Sequence, residues 1–552
     1  MRLVERRIGL LFAAFVLCFS MVLARALWLQ GVRGGALASQ ASYQQNETVT
    51  VPGLRGRVLD RRGLELAVSE DAASVIATPF QIEDPARTAA RLAPLLEVPE
   101  DELLEQLSSE SGFAYLAREV GMPAAARIER MKIEGIATLP DSRRTYPQGS
   151  LAAQVLGAVG SEEQVGLSGL EAGQEEVLGG NDGEEMIVKD ALGEPIRLET
   201  VHPASDGHDI QTTLDAALQT RVEEVISAVG SAYSAKAATA VVMDPRTSKI
   251  LAMANWPAVD LHSLDQADPR DLDNQATGFT YEPGSTFKAF TVAAALEDKV
   301  VTPETSFYLP PTIKVADRTI EEAHARPGGD FTVSTILAQS SNVGAVTIGL
   351  KLGAERFSRW IDRFGFGHPT GVQFPAEEVG IVPSYEEYSG SSIGNLPLGQ
   401  GLSVTPIQMM AAYAAIANGG VMRRPQLIER IDGEPVEQPP GRRVIKPWVA
   451  AEVRGMLEGV LAAGGTAEEV SVDGYTLAGK TGTAQVAEDG GYSETKFVAS
   501  FMGFAPAHNP GLLVSVIVDQ PQGEEYSGGA VAAPAFGEIA AFALPYLGVA
   551  PN

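Results

Sequence analysis

The chain has one cysteine in 552 residues, Cys18, and it lies in an apolar run near the N-terminus. That excludes an intramolecular disulfide and any metal site built on several thiolates. Histidine is scarce too. The six are scattered, none stands at ligand spacing with Asp or Glu, and no metal or other cofactor is expected. Positive charge is short: 42 Lys and Arg against 70 Asp and Glu leave a net −28. A nucleic-acid binder would need a basic face to meet phosphates, so that class is excluded. The sequence also lacks internal repeats and low-complexity tracts. What remains, 45% hydrophobic and 20% charged, is the composition of a globular protein long enough for two or three domains.

One long hydrophobic run stands out. Ile8 to Ala24 carries no charge, and apolar character resumes after Arg25 with Ala26, Leu27, Trp28 and Leu29. The uncharged part is at the lower limit for a spanning helix, and a snorkelling Arg25 with an interfacial Trp28 extends it. Arg2, Arg6 and Arg7 precede it, so the positive-inside rule keeps the short tail in the cytoplasm and exports the rest. A single-pass anchor over residues 1–30 and a large exported ectodomain are expected. The alternative is a signal peptide cleaved at the nearest A-x-A site, Ala36-Leu37-Ala38, which lies well beyond the apolar run.

Beyond the anchor, residues 51–69 read as strand, turn and strand, and 83–134 as helical, with leucines three and four apart. The stretch 141–205, rich in Gly, Glu and turn residues, holds no plausible catalytic cluster and reads as structural. Composition shifts near 202–215, where a strand leads into the helix DAALQTRVEEVISAVG. A hairpin follows, ATAVVMD (238–244) and KILAMAN (249–255) around Pro245-Arg246-Thr247-Ser248. Near the C-terminus, 475–487, 497–506 and 512–521 read as strands and 532–547 as a terminal helix. Residues 285–465 read as mostly helical. One economical architecture is a mixed α/β (α+β) fold in which both strand groups complete one antiparallel sheet, with the intervening helices packed on it.

The chemistry starts at Ser285-Thr-Phe-Lys288, which follows Pro283-Gly284 and opens a helix-forming run. Ser and Lys at i and i+3 share a helix face. The helix start offers free N–H groups for an oxyanion, and an amine among Phe287 and Phe290 can lose its proton near neutral pH. A second SxxK, Ser493-Glu-Thr-Lys496, sits in the acidic, turn-like AEDGGYSETK and reads as a solvated surface loop. Ser340-Ser341-Asn342 is the sole SxN, between two helical runs. Lys480-Thr481-Gly482 is the sole KTG, inside a strand-like run. Alone, SSN could be a helix cap and KTG a surface turn. In KTG the glycine would let an acyl chain lie close to the strand. Together and in this order they point to serine acyl transfer, which needs a nucleophile, a base, a proton relay and an oxyanion site in one place.

The set STFK, SSN and KTGT (480–483) resembles the penicillin-binding transpeptidases that cross-link peptidoglycan, and the wider match is to their class B. RGRVLDRRGLELA (55–67), RRTYPQGSLAAQVLGAVG (143–160) and GLSGLE (166–171) resemble that class's pedestal domain. VVMDPRTSKILAMANWP (241–257), DNQATGFTYEPGSTFK (273–288), GQGLSVTPIQ (399–408) and SGGAVAAPAF (527–536) resemble its catalytic domain. The C-terminal segments are most similar to the division-specific, FtsI-type branch. The resemblance implies a membrane helix, an elongated dimerisation-type pedestal over 31–205 and a transpeptidase domain over 206–552. It implies that Ser285 is acylated, with Lys288 as general base, Ser340 as proton relay, and Asn342 bonded to Lys288 and to the substrate's peptide. Lys480 would stay charged, Thr481 and Thr483 would bind the terminal carboxylate beside Gly482, and the N–H groups of Ser285 and Thr483 would form the oxyanion hole. The implied ligands are stem peptides, as D-Ala-D-Ala donor and amino acceptor, and β-lactams. The implied partners are a polytopic glycosyltransferase of FtsW type and other division proteins at the septum. Many relatives carry Gly where Ser248 stands, for which a local effect in the turn is expected. No PASTA-type repeat follows the terminal helix. An elongation- or sporulation-specific transpeptidase, a β-lactamase or carboxypeptidase, and a non-catalytic β-lactam-binding scaffold or sensor are the competing readings. A sensor would be expected to carry a signalling domain inside the cell, and only seven residues precede Ile8.

Overall fold

The computed structural model describes residues 2–33, 35, 46–160, 164–189, 195–261, 263, 268–488 and 491–551. Contacts divide the chain into two units: 1–54 with 70–143 and 180–207, and 55–69 with 144–179 and 208–552. The grouping does not follow a linear boundary near residue 205, because two earlier segments belong with the C-terminal unit.

In the first unit a helix runs from Arg2 to Gly31, its side chains from Val4 to Trp28 exposed. It is long and apolar enough to cross a bilayer and contains the whole expected span. The guanidinium groups of Arg25 and Arg33 lie 4.8 and 4.9 Å from the Trp28 ring centroid, a pairing suited to the headgroup region. Ala36-Leu37-Ala38 lies outside the described residues. Asn46–Val51, Gly183–Lys189 and Pro195–His202 form a three-stranded antiparallel sheet. Helices Pro85–Leu96, Glu100–Leu107 and Met122–Met131 share a small core around Val75, Leu92, Leu103, Leu116 and Ile128. Asp84 caps the first of these through Arg87 N–H (3.0 Å), and Pro85 takes the position where a missing N–H is harmless. The helical reading of 83–134 needs one correction. Ala114–Gly121 is a strand, paired with residues 72–77, and its eight residues were too few to outweigh the helical pattern on either side.

The second unit is built on five antiparallel strands: β1 (Ala237–Asp244), β2 (Lys249–Trp256), β3 (Ala478–Glu488), β4 (Gly491–Ala505) and β5 (Leu512–Asp519). Their order is β2-β1-β5-β4-β3, so the two strand groups do join one sheet. Every residue of β5 is buried, which requires both faces of the sheet to be covered. Helices α1 (Ala216–Ala232), α5 (Pro406–Ala417), α6 (Pro447–Glu458) and α7 (Ala533–Tyr546) pack on the strands, and α2 (Lys288–Glu297), α3 (Val333–Ala338) and α4 (Asn342–Leu352) pack beyond them, against α6 and one another. All of α5 is buried; it opens with Pro406 behind a Thr405/Gln408 capping box, whose reciprocal bonds satisfy two backbone N–H groups that would otherwise lie unpaired in the core.

The insertion between β2 and β3 is not purely helical. Ser306–Leu309 pairs with Gly329–Thr332 and Thr312–Val315 with Arg318–Glu321, four-residue strands too short to show a period in the sequence. Ser493 also departs from expectation. It lies in β4 and is buried, its hydroxyl accepting from Lys496 N–H at 3.3 Å while Lys496 Nζ meets Glu488 at 2.8 Å. The acidic loop is a hairpin of β3 and β4, and charge on its outer face concealed the strand.

Candidate active site

The first SxxK sits at the junction of a 3-10 turn, Gly284–Phe287, and α2. Gly284 has φ +53°, a conformation that lets the chain turn sharply after Pro283 and that a side chain would strain. The turn is held from below. Tyr413 of α5 donates its hydroxyl to Thr286 O (2.6 Å), and Phe287 and Phe290 pack edge-on or tilted against Phe364, Phe366 and Tyr413 at 5.0–5.3 Å. Ser285 is left half-buried on the wall of a cleft of about 790 Å³, whereas Lys288 behind it is fully buried.

Lys288 Nζ donates to Ser340 O (2.6 Å), Asn342 Oδ1 (2.7 Å) and Ser340 Oγ (3.2 Å). SxxK and SxN, about fifty residues apart, therefore meet through one ammonium. Burial pulls the Lys288 pKa down from 10.5 to about 7, against a smaller upward pull from the Glu322 carboxylate. Ser340 lines the cleft with φ +58°, a left-handed conformation that turns its carbonyl and hydroxyl toward Lys288 between α3 and α4. Ser341 is the N-cap of α4, accepting from Gly344 N–H at 2.9 Å. The helix-cap reading of SSN and the catalytic one thus apply to different serines of the same motif.

KTG lies on β3, the edge strand of the sheet. Thr481 and Thr483 line the cleft; Thr481 Oγ1 lies 2.6 Å from Thr466 Oγ1, and Thr483 Oγ1 accepts from Gly528 N–H at 3.0 Å. Gly482 has a packing role the sequence did not suggest. A Cβ there would lie 2.4 Å from Ser500 Oγ and 3.1 Å from Pro283 O, so the missing side chain lets β3 press against the turn that carries Ser285. Lys480 is fully buried, its Nζ donating only to its own neighbour, Thr481 O (3.1 Å) and Oγ1 (3.4 Å), among the described residues. Burial first, and the nearby Lys288 charge second, push its pKa well below the ordinary lysine value. These surroundings act against the charge expected of Lys480, and no carboxylate bonds to its Nζ among the described residues.

Ser285, Ser340, Asn342, Thr481 and Thr483 therefore share one cleft, with both lysines behind it, and Ser493 and Lys496 take no part in it. Three residues that hold the site carry no motif. They are Tyr413, Thr466 and Glu322, the last a buried carboxylate that accepts from Asn342 N–H and Ser341 Oγ–H. None has a signal in the sequence, because each acts through a partner more than a dozen residues away.

Residues 238–541 match the family model of the penicillin binding protein transpeptidase domain, and 50–212 that of the penicillin-binding protein dimerisation domain. Stage V sporulation protein D of Bacillus subtilis is 34% identical over 100% of this chain and 87% of its own length. Peptidoglycan D,D-transpeptidase FtsI of Escherichia coli is 31% identical over 99% and 92%. Among solved structures, penicillin-binding protein 3 of Mycobacterium tuberculosis in complex with ampicillin aligns with a TM-score of 0.72 at 30% identity, covering 91% of this chain and 97% of that one. With sequence, fold and both domain models in agreement over nearly its whole length, the chain belongs to the class B penicillin-binding proteins, the peptidoglycan D,D-transpeptidases.

Proposed function

We propose that this transpeptidase cross-links stem peptides at the division septum through an acyl-enzyme on Ser285. The observation that carries the chemistry is Lys288: a buried amine, bonded to both ends of the SxN turn and depressed to about 7, one helical turn from a cleft-lining serine. Such an amine is in substantial part neutral near pH 7 and can take the Ser285 hydroxyl proton as Oγ attacks the carbonyl of the penultimate D-Ala. The N–H groups of Ser285 and Thr483 take up the developing oxyanion. Ser340 passes the proton to the leaving D-Ala nitrogen, and an acceptor amine then attacks the ester and frees Ser285. Asn342 orients Lys288 and the donor peptide. The donor's terminal carboxylate, held by Thr481 and Thr483 beside Gly482, supplies the counter-charge that favours a protonated Lys480. β-Lactams enter by the same attack on their ring carbonyl.

The Arg2–Gly31 helix then works as a single-pass anchor with its N-terminus in the cytoplasm. Residues 31–205 provide the pedestal and 206–552 the exported catalytic domain. An FtsW-type glycosyltransferase and other division proteins are the partners this reading implies. A second reading, a sporulation-specific transpeptidase, is favoured by the relative of that name covering the whole chain. A fluorescent penicillin with mass spectrometry tests the chemistry: the adduct is expected on Ser285 and lost in Ser285→Ala, and an adduct elsewhere or none refutes it. A fluorescent fusion in growing cells tests the role: a mid-cell band with filamentation on depletion is expected, whereas normal division with defective spores selects the second reading.

A further inference from the structure

The carboxylate of Glu322 is almost wholly buried, on the segment that follows the Arg318–Glu321 strand along the cleft. Its Oε2 accepts from Asn342 N–H at 2.7 Å, at the first turn of α4, where a helix favours an anion. Its Oε1 accepts from Ser341 Oγ–H at 2.6 Å and from the guanidinium of Arg326. Ser341 Oγ accepts in turn from Gly344 N–H, and Arg326 Nη2 also reaches it at 3.3 Å, while Arg326 Cζ lies 4.0 Å from the Phe331 ring centroid. The preceding carbonyl, Glu321 O, accepts from Asn342 Nδ2 at 2.8 Å, which leaves Oδ1 of that amide turned to Lys288. One short segment therefore holds both the backbone and the side chain of Asn342 and the hydroxyl of Ser341, and the left-handed Ser340 immediately precedes them.

We propose that Glu322 is a positioning residue for acylation of Ser285, holding the Ser340–Ser341–Asn342 turn in the conformation that presents Ser340 O and Asn342 Oδ1 to the Lys288 ammonium. The inference rests on the acyl-enzyme reading given above. Glu322 has a second, electrostatic effect, because its negative charge raises the Lys288 pKa against the lowering by burial. The other titratable group behind the cleft is Lys480 of β3, whose own pKa the Lys288 charge lowers, and Arg326 bonds to the Glu322 carboxylate. Arg318, Glu321 and His324 line the same cleft, and the SxN turn itself contributes no charge.

Two variants separate positioning from plain stability, read by the second-order rate of penicillin acylation from pH 5 to 9. Glu322→Ala removes the acceptor for Asn342 N–H and Ser341 Oγ–H and is expected to slow acylation at least about tenfold on the plateau above neutral pH. Glu322→Gln keeps one acceptor oxygen and loses the charge, so Lys288 gives up its proton more readily and the acid limb of the profile moves to lower pH. A purely structural glutamate would alter melting temperature and leave that limb in place. If Glu322→Ala acylates at the parent rate, or the Glu322→Gln limb stays or moves up, the inference is overturned. Should Glu322→Ala fail to fold, the Glu322→Gln profile alone decides. A parent protein not labelled at Ser285 overturns this inference together with the reading beneath it, whereas labelled parent and unchanged variants overturn this inference only.

Discussion

Lys288 and Lys480 show how one side chain takes two roles through its partners. Both are buried, but Lys288 is bonded to Ser340 and Asn342, whereas among the described residues Lys480 bonds only the neighbouring Thr481. With Lys288 at about 7, the acylation rate is expected to rise tenfold per pH unit below neutrality and level off above it. An unperturbed lysine would put that rise near pH 10.4, and a rate still climbing steeply at pH 9 would contradict the assignment. Lys288→Arg is expected to lower acylation by about a hundredfold to ten-thousandfold, since a guanidinium cannot act as base in this range. Lys480→Arg keeps a charge for the carboxylate and is expected to lose less, most of all with carboxylate-bearing ligands. Equal loss in both variants would remove the distinction.

At the scale of elements, two positions in the second unit depend on a single side-chain atom. Gly482→Ala would drive a Cβ into Ser500 Oγ and Pro283 O, forcing β3 away from the Ser285 turn. Stability is expected to fall by about 1–3 kcal/mol, the usual scale of overpacking, with acylation slowed in the folded fraction. Chemical denaturation and labelling check the two parts. Ser248 is the opposite case. It holds φ +61° in the β1–β2 turn, fully buried, with no partner for its hydroxyl among the described residues. Glycine adopts that conformation without strain, so Ser248→Gly is expected to stabilise the fold by about 1 kcal/mol, and unchanged acylation would fit a turn that lines no part of the cleft. A lower denaturation midpoint would show that the serine makes an interaction worth more than its strain.

At the scale of the whole molecule, the exposed apolar helix sets how the protein is handled. Protein extracted from membranes is expected to require detergent and to begin at or next to Met1. Recovery in the soluble exported fraction with an N-terminus near residue 39 would show instead that the helix is a cleaved signal. The apolar run, the three motifs and the strand pattern were all legible in the sequence, because each depends on local composition or a spacing of a few residues. The sheet order, the Ala114–Gly121 strand and the buried place of Ser493 were less legible, since pairing partners and covering helices decide them. The sequence alone put Ser285 and Lys288 one helical turn apart behind Pro283-Gly284, a local signal of spacing and turn chemistry. Only tertiary structure decided their chemistry. The depressed Lys288, the buried Lys480, the reason for Gly482 and the hold of Glu322 on the SxN turn all arise from burial and contacts between segments distant along the chain. An amine's proton affinity is set by the solvent it loses and the charges it gains, and neither is written in its neighbours along the chain.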